Sequence, residues 1–131
     1  MPDSVRRLTY ADIQDYLDAI ADHPQVANPV EAAPHGRFWT VSHGDFLSGN
    51  VPHVRCAGAP IPIVDAAPDK CPLLQALTTL QGWCNRRQMP RGGPFITDED
   101  YQVTLRDGRV VAGQEIIEDI TWWLTNGMPE K

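Results

Sequence analysis

No stretch of this chain stays apolar for anything near the ~20 residues that a helix needs to cross a bilayer. Positive charge is also short, with 11 Lys and Arg against 17 Asp and Glu and a net charge of −6. A nucleic-acid surface needs clustered cations, so neither nucleic acid nor membrane is expected as the main partner. Cysteine is scarce and ill-spaced. Cys56, Cys71 and Cys84 are odd in number and far apart, so no disulfide framework is expected and the thiols read as reduced. The opening Met1-Pro2-Asp3-Ser4-Val5-Arg6-Arg7 leads into an acidic amphipathic stretch instead of an apolar signal core. These absences together place the expected location in the cytoplasm. No internal repeat is present.

What remains is one domain's worth of chain, residues 1–131, able to bury roughly two-thirds of its unfolded surface without a metal or disulfide. Ile13, Tyr16, Leu17 and Ile20 recur at the spacing of one helical face. Thr9 with Asp12 three residues on forms a start signal, and Pro24 is the stop. Asp12, Asp15, Asp18 and Asp22 take the other side and read as a solvated face. Beyond Pro24 and up to residue 69, six prolines (29, 34, 52, 60, 62 and 68) argue against long regular elements. Phe38, Trp39, Phe46 and Leu47 can pin this stretch to a core, with a short helix near residues 44–47 and a brief extended piece at Ile61, Ile63 and Val64. Pro72 then opens a helix with Leu73, Leu74, Leu77 and Leu80 as its buried side and Gly82 at its end. Tyr101, Val103 and Leu105 alternate up to Asp107-Gly108, a hairpin signal pairing Leu105 with Val110. The last helix spans residues 114–125, with Ile116, Ile120, Trp123 and Leu124 on one face. Glu115, Glu118 and Asp119 lie near its positive end, and Asn126-Gly127 closes it before Pro129. The expected fold is mainly α, with long Pro/Gly-rich loops and one hairpin at 101–112.

Three segments carry a family resemblance. Ile63-Val64-Asp65 and Pro68-Asp69-Lys70-Cys71-Pro72-Leu73-Leu74-Gln75-Ala76-Leu77-Thr78 come first. Met89-Pro90-Arg91-Gly92-Gly93-Pro94-Phe95-Ile96-Thr97-Asp98-Glu99-Asp100 follows. The last is Ile117-Glu118-Asp119-Ile120-Thr121-Trp122-Trp123-Leu124-Thr125-Asn126-Gly127-Met128-Pro129-Glu130. In this order they resemble the C-terminal half of a class I cytochrome c domain, covering about half the chain. The resemblance implies a helical domain whose first and last helices pack together, with Met89 at the position of the axial iron ligand. The family's Cys-x-x-Cys-His segment cannot exist here, because all four histidines (23, 35, 43 and 53) precede the first cysteine. Covalent haem is therefore excluded. His23 falls near the place of the family's axial histidine, so His23 with Met89 is the pair that a non-covalently bound haem would use. The 101–112 hairpin departs from the family, interrupting the run into the last helix.

Other candidates come from side-chain chemistry. His43, His53 and Cys56 could bind zinc or copper, since imidazole and thiolate suit both, with His35 or Asp45 completing four ligands. A nucleophilic thiol needs a base or cation close by. Cys56 has histidines near it in sequence, and Cys84, beside Arg86 and Arg87, has the better setting. Arg86, Arg87 and Arg91 could hold a carboxylate or phosphate with backbone amides at Gly92-Gly93, or pair with the acids at 98–100. Trp39, Trp122 and Trp123 could line a pocket, because neighbours on a helix such as Trp122 and Trp123 cannot both point fully inward. The leading expectation is a haem-free, cytochrome c-like accessory module that binds a small molecule or a protein, including a second copy of itself, with no cofactor. The alternatives are a small enzyme built on His43, His53 and Cys56, with or without a metal, and a haem protein using His23 and Met89.

Overall fold

The computed structural model describes residues 8–26, 36–84, 87–90 and 93–131. The elements run α1 (Tyr10–Ala21), α2 (His43–Ser48), β1 (Asn50–Cys56), β2 (Ala59–Pro62), a 3-10 turn (Pro68–Lys70), α3 (Pro72–Thr78), β3 (Gln102–Thr104), β4 (Val110–Ala112) and α4 (Gly113–Thr125). Helix takes up 37% and strand 15% of the described residues, so the fold is mixed α/β and not mainly α. The strands form two separate antiparallel hairpins, β1–β2 and β3–β4.

α1 starts as its sequence dictates. The Thr9 hydroxyl accepts from the Asp12 amide at 3.3 Å, and the Asp12 carboxylate accepts from the Thr9 amide at 2.9 Å, a reciprocal capping box. Its buried side is Tyr10, Ile13, Tyr16, Leu17 and Ile20. α4 buries Ile116, Ile120, Trp123 and Leu124, and the two sets join one core with Leu73, Leu74 and Leu77 of α3. The Tyr16 hydroxyl donates to the Asp119 carboxylate, and the rings of Tyr10 and Trp123 stack with centroids 6.3 Å apart. The first and last helices are therefore tied side chain to side chain. α4 ends where expected: Gly127 takes φ +88°, and the Met128 amide reaches back to the Trp123 carbonyl at 2.9 Å.

Four expectations need correction. The acidic stripe of α1 is not simply solvated. Asp18 accepts from the Trp39 indole N–H at 2.8 Å and pairs with Arg37 at 3.2 Å and Arg106 at 2.6 Å, while Asp22 holds Arg37 at 2.6 Å. These contacts dock the 36–41 segment and the β3–β4 turn onto the helix. The six prolines did not prevent a strand of seven residues, β1. Its register shifts between Asn50 and Arg55, so that Val51, Pro52, His53 and Val54 stand opposite Ile61 alone. That bulge accommodates Pro52 because no regular ladder bond is asked of it. Leu80 is 81% exposed, since α3 stops at Thr78. The hydroxyls of Thr78 and Thr79 bond the carbonyls of Leu74 and Gln75 at 2.7 and 2.8 Å, a side-chain competition with the helix ladder that favours its end. Finally, β4 pairs one residue earlier than expected. Val110 opposes Thr104, and the Leu105 amide bonds the Arg109 carbonyl at 2.8 Å. The turn thus holds three residues, with Gly108 at φ +89°, the commonest hairpin after the two-residue kind.

Candidate functional site

The β1–β2 hairpin carries an open cleft of about 570 Å³ lined by Asn50, His53, Val54, Arg55 and Pro60. A tight turn at Ala57-Gly58, both residues at positive φ (+52° and +82°), brings Arg55 opposite Pro60 and Cys56 opposite Ala59. The bulge does the rest. His53 sits at φ +60°, and Val54 is turned inward while its neighbours His53 and Arg55 are exposed. The Arg55 guanidinium donates to the Gly58 carbonyl at 3.3 Å, which braces the arm that carries the cation. The cleft therefore combines a guanidinium, an imidazole and an amide with an apolar floor and a proline wall.

Cys56, at the end of β1, is bonded to Cys84 in the loop after α3, with Cα atoms 5.9 Å apart. This corrects the expectation of three reduced thiols. The spacing of 28 residues hides the pair in sequence, because only the fold brings β1 to that loop. Cys71 is the free cysteine and is fully buried, and burial raises its thiol pKa above the ordinary value.

The disulfide dissolves two sequence candidates. Cys56 cannot supply a thiolate to a metal while bonded, and Cys84 cannot act as a nucleophile. His43 is occupied elsewhere, with its Nε2 2.8 Å from the Met128 carbonyl and its ring 5.5 Å from that of Tyr10. The structure thus does not gather His43, His53 and Cys56 into one site. Among the described residues no three His, Cys, Asp or Glu side chains lie together as a metal would need. His35 lies outside the described residues. Asp45 and Ser42 belong to the start of α2, where the Ser42 hydroxyl accepts from the Asp45 amide at 3.2 Å.

His23 and Met89 are held by different neighbours. The His23 ring stacks on Tyr101 at 5.1 Å, and its Nδ1 accepts from the Gln25 amide at 3.1 Å. Met89 packs against the core, its amide bonded to the Ala76 carbonyl at 2.8 Å. Beside it, buried Gln88 donates to the Leu77 carbonyl and the Thr97 hydroxyl at 2.8 and 2.7 Å, a clamp that sequence reasoning missed. His23 and Met89 thus each make protein contacts of their own. Tyr101 itself is buried with no partner for its hydroxyl among the described residues, and burial, then the nearby Asp98 charge, pushes its pKa up.

Of the tryptophans proposed as pocket residues, Trp39 and Trp123 are buried in the core and Trp122 is half-buried against it. Trp123 donates its indole N–H to the Pro129 carbonyl at 2.9 Å. Arg87 is exposed, while Arg86 and Arg91 lie outside the described residues. The residues that build the cleft, apart from His53, were not singled out in the sequence. The signal that could have found them is Cys56-Ala57-Gly58-Ala59, a turn dipeptide between segments able to pair.

No helix among the described residues is long and apolar enough to cross a membrane. Neither a family model, nor a curated protein, nor a solved structure matches this chain.

Proposed function

We propose that this chain is a haem-free accessory module that binds a small carboxylate-bearing ligand on its β1–β2 hairpin. The observation that carries this reading is the cleft lined by Asn50, His53, Val54, Arg55 and Pro60. Arg55 can offer a forked pair of donors to a carboxylate, and His53 and Asn50 can add hydrogen bonds from beside it. Val54 and Pro60 suit a short apolar body. The disulfide removes the reduced-thiol premise for a cytoplasmic location. An oxidising compartment suits a chain that keeps Cys56 and Cys84 bonded.

The test is a titration of isotope-labelled protein with succinate, followed by amide shifts. Shifts confined to residues 50–60, abolished by Arg55→Ala, are expected. Absence of shifts at millimolar succinate, or shifts that survive Arg55→Ala, would overturn the reading.

A further inference from the structure

We propose that the Cys56–Cys84 disulfide is a redox latch that holds the β1–β2 hairpin in place and opens to a dithiol reductant. The proposal concerns the regulation of the cleft just described, but its first test requires no ligand.

Three observations carry it. The bond joins the far end of β1 to the loop after α3, whereas the root of the hairpin is closed separately, by the Ile63 amide on the Gly49 carbonyl at 3.2 Å. The inward side chains of the hairpin, Val54 at 9% and Ile61 at 3% exposure, are buried yet stand outside the main core cluster. A two-stranded hairpin is marginal in water by itself, and this one has a register broken by four residues facing one. Lastly, the two cysteines differ in exposure. Cys84 is exposed, at φ +59°, and Cys56 is half-buried, so an incoming thiolate meets Cys84 first. The third cysteine, Cys71, is fully buried and cannot intercept the exchange.

The chemistry is thiol–disulfide exchange. One thiolate of the reductant attacks the Cys84 sulfur. The Cys84–Cys56 bond breaks, and Cys56 leaves as a thiolate that takes up a proton. The second thiol of the reductant, as thiolate, then attacks its own sulfur in the mixed disulfide, closing the reductant's internal disulfide. Cys84 is released and protonated. Two electrons pass to the protein, one dithiol becomes one disulfide, and the hairpin keeps only its root. Val54 and Ile61 then lose their cover and the cleft loses its fixed walls.

Hydrogen–deuterium exchange of the full chain, followed by mass spectrometry, separates this from the alternatives. With dithiothreitol, and equally in a Cys56→Ser/Cys84→Ser variant without reductant, peptides covering residues 50–62 should exchange at least tenfold faster. Peptides from α1 and α4 should keep their rates. Unchanged exchange at 50–62 would overturn the latch. Equal acceleration of α1 and α4 would also overturn it, since the bond would then be a staple of the whole fold. Iodoacetamide gives an independent check: no label before reduction, two labels after it, and a third only on denaturation. Two labels on the untreated protein, or three at once after reduction, would sink the proposal. Because neither readout involves succinate, failure of carboxylate binding and failure of the latch are told apart.

Discussion

Asp18 gathers contacts from three side chains outside α1, those of Trp39, Arg37 and Arg106. Burial alone would raise its carboxyl pKa, but the hydrogen bonds from Trp39, Arg106 and Arg37 outweigh that and hold it below the ordinary value of 3.8. The depressed pKa means that the carboxylate stabilises the fold above the unfolded value, and that this contribution fades as pH falls through the folded one. Stability measured by urea midpoint should therefore drop as pH falls below the ordinary value of 3.8. An Asp18→Asn variant should start lower at pH 7 and lose less below that value, and parallel curves would contradict this account. Tyr10 works at the other end of the scale. Its hydroxyl donates to the Val41 carbonyl at 2.8 Å with the Trp39 carbonyl at 3.1 Å. Its pKa is pushed up to about 12, by burial first, with a Gln14 hydrogen bond opposing and the Asp45 charge adding.

At the scale of elements, the junction of β4 and α4 leaves no room for a side chain. Gly113 opens α4, and its amide bonds the Tyr101 carbonyl at 3.1 Å. A methyl group here would overlap the Ile96 carbonyl, which is backbone and cannot rotate away. Gly113 is thus a glycine for space, not for an unusual φ. Gly113→Ala should cost about 1–3 kcal/mol through forced backbone shifts. By contrast Gly44→Ala, on the open side of α2 with nothing within 4 Å, should be neutral or slightly stabilising through helix propensity. Equal denaturant midpoints for the two variants would contradict the clash.

For the whole molecule, the joint between α1 and α4 decides whether the chain holds together. Ile120 is fully buried in the cluster that includes Ile13, Tyr16, Leu17 and Trp123. Ile120→Ala should cost about 2–5 kcal/mol, read by denaturant unfolding with an unchanged slope. A loss below that range would mean that the core relaxes around the cavity. The hairpin arm and the disulfide are not part of this joint, and the functional reading rests on these.

Local chemistry was legible in the residues themselves. Thr9 and Asp12 cap α1 because their side chains reach only their own neighbours' amides, and Asn126-Gly127 ends α4 for a similarly local reason. The helical face of Ile13, Tyr16, Leu17 and Ile20 followed from periodicity, since burying one side is what such spacing is for. Non-local choices were not legible. Nothing near Cys56 in the chain points to Cys84, and nothing near Asp18 points to Arg106, 88 residues away. The β1 bulge, too, depends on β2 as a partner, so its prolines read as breakers when taken alone. Local sequence sets which torsions and faces are cheap for each segment. Which thiol, ion or strand meets which is decided by packing the segments around one core, and the cleft and its latch belong to that second kind.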